Sequence, residues 1–467
     1  MLFSSMTFLE FFPVVWTVHW LLPRPRQRHC WLVITSAIFY GAWNWRLLAL
    51  LAATGAFNYV VVAAMDQTKF KRTRHRLLWL ALMGNLGQLA LFKYANFFST
   101  SVAVLLNGFG LHATPVLLHL VLPLGISFYT FEFIAYAVDV YRGDATVRRD
   151  PLHFALYVLF FPRLIAGPIV RPNEFFPQLE RPRRFSWLRT QVGFQFFVWG
   201  YFKKVCVADP VGAAIDPFFA DPMSWGSAGA WLAVLAYSVQ IYCDFSGYSD
   251  MAIGLGQLLG VRLPDNFRLP YLAADVREFW QRWHLSLSRW IRDYLYITMG
   301  GGRASSIRRF VNVLVVMSAC GLWHGAQWTF IAWGAIHGAA LGVHRAMPWP
   351  QWLQSRSGRA ISVAATFLFV TLAWVPFRAP SFAAAGAIFE RLLIPSRGAA
   401  ISEPTLVVLA LGLLAAAAMH VRGLELRWRR IEARWPSALV GVVWAALVFL
   451  IHVLTPLQSS TFIYFQF

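Results

Sequence analysis

The sequence predicts an all-α, polytopic integral membrane protein of roughly 11–13 transmembrane helices with re-entrant and interfacial amphipathic helices, each span needing about 20 apolar residues. Three observations carry this. Apolar residues make up 58% of the 467-residue chain and charged residues only 13%, a balance foreign to soluble domains. Apolar runs recur from end to end, at 77–92, 116–131, 231–241, 310–322, 361–375, 406–419 and 438–454. The formal charge of +20 sits in short loops between those runs, which is how a membrane protein sets its orientation and is not the footprint of nucleic-acid binding.

Taken in order, the first 22 residues lack the basic start and small-residue cleavage site of a signal peptide and read as a retained first helix. Basic loops at Arg24, Arg26 and Arg28, at 69–76, and at Arg142, Arg148 and Arg149 mark the cytoplasm and place the N-terminus outside. Between them the reading expects helices near 5–22, 30–44, 47–65, 77–98 and 115–141. A sixth span would put the basic segment 171–189 on the wrong side. Its core, "FPRLIAGP", carries Pro162, Arg163, Gly167 and Pro168, so a re-entrant excursion is expected, with a kinked ordinary span as the alternative. Residues 276–294, "VREFWQRWHLSLSRWIRDY", keep a helical apolar period and read as one amphipathic helix at the cytoplasmic interface, with His284 at the edge between its faces. The turn "MGGGR" ends it. Beyond Arg345 the chain reads as scaffold helices. The whole, 1–467, is taken as one membrane-embedded domain: N-terminal helices 1–150, a catalytic core 151–345 and C-terminal scaffold helices 346–467.

Cys30, Cys206, Cys243 and Cys320 are scattered, so neither a metal site nor a disulfide framework is expected. Most of the 12 histidines have an ordinary place. His29, His75 and His344 lie in basic loops, and His19, His153 and His452 near helix ends. His324, in "GLWHGAQWTF", does not: an imidazole inside hydrocarbon is a functional candidate, weighed against a hydrogen-bonded packing residue. Gly321 and Gly325 would let a backbone or ligand approach, Trp323 and Trp328 offer apolar walls with indole donors, and burial would keep the imidazole a neutral base. In "YCDFSGYSDMAIG", Asp244, Ser246, Ser249 and Asp250 interrupt an apolar region; capping, or pairing with a membrane arginine, ranks ahead of catalysis for the aspartates. Glu132 and Asp139 share a helix face and could pair with Arg163. Soluble-enzyme signatures are missing.

Six stretches together resemble the membrane-bound O-acyltransferase superfamily, in particular its bacterial alginate O-acetyltransferase branch: "LPLGISFYTFEFIAYAVDVYRG" (122–143), "FPRLIAGPIVRPNEFFPQL" (161–179), "YCDFSGYSDMAIGLGQLLG" (242–260), "PDNFRLPY" (264–271), "REFWQRWHLSLSRWIRDYLYI" (277–297) and "GLWHGAQWTFIAWGAIHG" (321–338). The final "FIYFQF" is also similar. The resemblance implies a ring of helices around a central tunnel, His324 as the essential histidine and His284 as the second. It implies acetyl-CoA entering from the cytoplasm as acyl donor with no bound cofactor, and periplasmic polysaccharide acetyltransferases as partners in a bacterial inner membrane. Cys243 and Glu132 depart from residues common in that branch. On this basis Arg277, Arg282, Arg289, Arg292 and Arg303 are candidates to hold the CoA phosphates. His324 would deprotonate an acceptor hydroxyl, and His284 or the Trp323 indole would meet the oxyanion. Direct transfer ranks ahead of an acetyl-histidine. The rivals are a polysaccharide or lipid-linked sugar transporter or flippase, and a noncatalytic scaffold of an exopolysaccharide complex.

Overall fold

The computed structural model describes residues 1–454 apart from 182, 304, 348–349, 399–400 and 422–434; "FIYFQF" and the side chain of His452 lie outside the described residues. Described regular structure is helical, and the chain divides into two compact units, Met1–Thr190 with Leu255–Pro264, and Gln191–Gly254 with Asp265–Phe467. These cuts fall at neither 150 nor 345. Four described helical segments, Trp45–Gln67, Lys71–Gly108, Ser306–His324 and Arg356–Arg378, are long and apolar enough to cross a membrane.

The first unit runs through α1 (Met6–Leu21), α2 (Pro25–Gly41), α3 (Trp45–Gln67), α4 (Lys71–Leu89), a π-turn at Ala90–Tyr94, α5 (Ala95–Gly108), α6 (Ile126–Arg142), α7 (Pro151–Leu159), α8 (Phe161–Leu164) and α9 (Pro172–Glu180). Starts follow local chemistry. Ser5 accepts from the Phe8 N–H, Asn44 from those of Arg46 and Leu47, and Asp150 from that of Leu152.

The fifth expected helix, 115–141, begins only at Ile126, after Gly125 in the left-handed region (φ 72°). Pro115 and Pro123 break the apolar run before it. Residues 111–123 are instead non-helical, clamped by two asparagines: Asn96 exchanges both side-chain bonds with the Leu118 backbone (2.7 and 2.9 Å), and Asn107 with that of Ala113 (2.6 and 3.1 Å).

Segment 151–170 is not one kinked span. The helix breaks at Phe160 (ψ 98°), and residues 160–170 are buried throughout, so their irregular backbone is shielded by protein. A methyl on Gly125 would overlap the Leu164 carbonyl. Arg163 is ion-paired with Glu132 of α6, and its guanidinium lies 4.5 Å and 4.9 Å from the Tyr157 and Phe175 ring centres.

The second unit contains most of α10 (Trp187–Phe202), a π-turn at Lys203–Ala208, α11 (Asp209–Ala220), α12 (Ser227–Leu258) to Gly254, α13 (Val276–Trp280), α14 (Leu285–Ile291), α15 (Ser306–His324), α16 (Trp328–Ala346), α17 (Arg356–Arg378), α18 (Phe382–Leu393), α19 (Glu403–Met419) and α20 (Ser437–Leu454). Glycines set two of its helix contacts. A methyl on Gly247 would stand 2.7 Å from the Gly200 carbonyl oxygen, and one on Gly254 2.5 Å from that of Gly193, so α10 and α12 touch backbone to backbone. That contact delivers Lys203 to Asp250 (2.6 Å) and Lys204 to both Asp209 and Asp244 (2.7 Å each). The aspartates of 242–254 therefore pair as expected of intramembrane carboxylates, but with lysines, not an arginine.

The α15–α16 hairpin is closed the same way. A methyl on Gly334 would overlap the Met317 carbonyl and one on Gly338 would stand 2.9 Å from Leu314 Cα. Gly334→Ala is therefore expected to lower the unfolding temperature of the detergent-solubilised protein, with a loss of about 1–3 kcal/mol or more, as overpacking against a backbone that cannot yield gives. Gly386→Ala on α18, which meets nothing within 4 Å, is the neutral control.

Candidate active site

All of the site lies in the second unit. The expected single amphipathic helix over 276–294 is two pieces. α13 stops at Trp280, and α14 starts at Leu285 behind His284, which stands in the left-handed region (φ 45°, ψ 56°). Only Leu269 among the other described non-glycine residues shares a positive φ. Such a conformation is strained by about 1–3 kcal/mol and needs outside support. The loop at 265–268 supplies it: the Leu285 N–H donates to the Asn266 carbonyl (3.0 Å) and the Arg268 N–H to that of Arg282 (2.9 Å). His284 consequently points inward and is fully buried, not at the edge of an interfacial helix.

The Asn266 side chain fixes the chemistry of that imidazole. Its Oδ1 accepts from the Ser286 backbone N–H (3.2 Å) and hydroxyl (2.9 Å), while its Nδ2 donates to Ser249 Oγ (3.2 Å). A backbone N–H can only donate, so Oδ1 is the acceptor. His284 Nδ1, 3.2 Å from the same oxygen, must then carry its proton. Neutral His284 therefore presents a bare Nε2 lone pair, and that atom is buried with no hydrogen-bond partner among the described residues. In this form His284 accepts hydrogen bonds and cannot meet an oxyanion as donor. Asn266→Ala is expected to free the ring and remove the acceptor shared by His284 and Ser286, lowering kcat at least tenfold; steady-state kinetics on folded protein check it.

His324 is the last residue of α15. Gly325 is extended, the chain turns through Gln327, whose N–H donates to the Gly325 carbonyl (2.9 Å), and α16 starts at Trp328. The imidazole is 3% exposed, with ring centres 4.9 Å from Trp323, 5.2 Å from Trp333 at a right angle, 5.4 Å from Phe377 and 6.5 Å from His284. Two buried histidines, far apart in sequence, are thus brought close together, their ring planes inclined at 59°. Phe245 closes the other side of His284 at 4.6 Å. Gly321 and Gly325 leave no room for a ligand: a methyl on either would overlap Phe330.

The remaining expected residues divide. Trp323 lies beside both histidines, 6.2 Å from His284. Asp244 is bound into the Lys204 ion pairs, and Ser246 is buried on the same helix. Arg277, Arg292 and Arg303 are exposed; Arg282 and Arg289 are half-buried. Arg282 is paired with Glu278 (2.6 Å), which Arg359 also reaches (3.3 Å), and Arg292 with Asp293 (2.6 Å). Partial burial pushes the Glu278 carboxyl up, but the Ala274 N–H and the two arginines outweigh it and hold it below the usual carboxylate range. Asn266, Ser286, Trp333 and Phe377 were not singled out by sequence. Asn266 lies in a quoted motif, yet nothing local marks its side chain as the partner of His284.

The described helices include four fit to cross a bilayer, and two buried imidazoles lie with ring centres 6.5 Å apart in the second unit. The profile of the membrane-bound O-acyltransferase family matches residues 145–375. The chain is 41% identical over 395 residues to the probable alginate O-acetylase of Pseudomonas aeruginosa, covering 84% of this chain and 75% of that one. It is 42% identical to the protein of the same description from Azotobacter vinelandii (81% and 75% covered) and 37% identical to the peptidoglycan O-acetyltransferase of Helicobacter pylori (82% and 78%). The chain belongs to the membrane-bound O-acyltransferase family: it is a multi-pass membrane acyltransferase.

Proposed function

We propose that this protein moves an acetyl group from cytoplasmic acetyl-CoA to a hydroxyl on the periplasmic side of a bacterial inner membrane, for O-acetylation of alginate or a related envelope polysaccharide. The observation that carries the reading is the neighbouring pair His284 and His324, both buried, in a chain similar over most of its length to proteins described as alginate O-acetylases and a peptidoglycan O-acetyltransferase. The donor's phosphates keep it out of the bilayer while the polymer lies outside, so the acetyl group has to cross where the donor cannot. A tunnel through a helix ring, as the family resemblance implies, would bring both substrates to the pair.

In this reading Arg277, Arg282, Arg289, Arg292 and Arg303 hold the CoA phosphates on the cytoplasmic side, with Arg282 shared with Glu278. His324 takes the proton of the acceptor hydroxyl as its oxygen attacks the thioester carbon. His284, through its Nε2 lone pair, holds a substrate O–H or N–H in register. The N-terminus is periplasmic, and a periplasmic acetyltransferase works with the protein on the same polymer.

The test is the acetyl content of each envelope polymer in cells carrying wild type, His324→Ala or no protein. The reading expects one polymer to lose its acetyl groups equally in the last two. A scaffold predicts wild-type acetylation with His324→Ala at equal protein level, and a flippase predicts loss of the polymer itself.

A further inference from the structure

Against His324 lies Trp333, and against Trp333 lies His337; each carries a hydrogen-bond donor with no acceptor among the described residues. His337, four residues after Trp333 on α16, is fully buried among Phe279, Trp280, Trp333 and Phe369. The Trp280 Nε1–H donates to His337 Nδ1 (3.3 Å), so the neutral ring carries its proton on Nε2. That Nε2 is buried with no partner among the described residues, and the same holds for Trp333 Nε1 on a ring 1% exposed. The two rings touch, with centres 5.0 Å apart, and Trp333 meets His324 at 5.2 Å.

Each buried N–H without an acceptor costs about 1–3 kcal/mol, and each one in a native interior asks for an explanation. Two on touching rings of one helix face, one of them against His324, call for a shared acceptor that the described residues do not provide. We propose that this acceptor is the acyl carbonyl oxygen of the donor: Trp333, with His337 behind it, is the oxyanion site. This rests on the acyl-transfer reading above. It also replaces His284, which offers no proton in its neutral form, and takes the donor role from Trp323.

The step balances as follows. The hydroxyl oxygen forms a bond to the acyl carbon while its proton passes to His324. The carbonyl π pair moves onto oxygen, and the oxyanion accepts from Trp333 Nε1–H and His337 Nε2–H. The carbonyl then reforms, the carbon–sulfur bond breaks, and the thiolate leaves with the proton returned from His324.

Trp333→Phe keeps an aromatic ring against His324 and Trp374 but removes the donor, along with part of the ring's volume. Purified protein is given acetyl-CoA with alginate or peptidoglycan fragments, and free thiol is followed. Loss of one oxyanion donor predicts a fall in kcat of about a hundred- to a thousandfold with KM for acetyl-CoA nearly unchanged. His337→Gln, which can still accept from Trp280 and donate onward, keeps far more activity than His337→Leu.

Because a smaller ring at 333 risks misfolding, a second variant places benzothienylalanine there, with sulfur in place of the N–H; the same loss is expected. A spectroscopic readout accompanies both. The carbonyl stretch of carbon-13 acetyl-CoA bound to His324→Ala protein lies below its value in water and moves back up when Trp333→Phe is added. Wild-type kcat and an unmoved carbonyl band in the position-333 variants overturn the donor assignment alone, leaving a buried water as the shared acceptor. No thiol release by the wild type overturns the acyl-transfer reading and this assignment with it.

Discussion

Replacing His324 with alanine is expected to reduce acyl transfer by about a hundred- to ten-thousandfold, the range over which a positioned general base contributes. The protein should remain folded. His324 ends α15 and packs through ring edges against Trp323, Trp333 and Phe377, and the hairpin that carries it is closed by Gly334 and Gly338, not by the imidazole. Its removal opens a small space at the proposed reacting centre, so added imidazole should restore part of the rate. His284→Ala is expected to cost less in rate than His324→Ala but to relax the strained turn, releasing the local support given by Asn266.

The largest stability effect is expected at the buried pair Glu132–Arg163. Their side chains are 8% and 1% exposed, and Arg163 Nε and Nη2 have no acceptor among the described residues, so Glu132 carries the neutralisation of that charge. Glu132→Leu leaves a guanidinium uncompensated, which costs about 3–5 kcal/mol when a buried pair loses one partner. Glu132→Gln keeps a hydrogen bond and should lose less. The double variant Glu132→Leu with Arg163→Met removes both charges and should recover most of the loss, as buried pairs replaced by apolar residues of similar volume do. Thermal unfolding in one detergent, across the four proteins, reads the series.

The class of fold was legible because composition and charged loops report solvent directly: hydrocarbon excludes charge whatever the sequence order. Backbone breaks were less so. The apolarity of the run 116–131 says nothing of its first part being non-helical, since hydropathy sums side chains, whereas Pro115, Pro123 and the left-handed Gly125 act on the backbone. The amphipathic period of 276–294 survives an interruption at 281–284 because the apolar positions still fall on the buried side. No glycine or proline marks that turn, and what enforces it comes from Asn266 and Arg268.

Within the site, His324 stood out because an imidazole deep in an apolar run needs a reason. The pairing of Glu132 with Arg163 followed from charge scarcity in a membrane. By contrast, the tautomer of His284 and the orphaned donors of Trp333 and His337 depend on which acceptors the fold delivers, a property of the assembled interior that no spacing encodes. Gly321 and Gly325 show the converse: their smallness was visible, but only the structure says that Phe330 fills the room.

The most direct measurement is acetyl-CoA cleavage by purified protein in nanodiscs, read as free thiol and as acetyl groups gained by an added polysaccharide fragment, for wild type and His324→Ala side by side. The account predicts stoichiometric thiol and acetylated product with wild type and almost none with the variant at equal folded protein. Equal thiol release from both, or product formed without thiol, would contradict it.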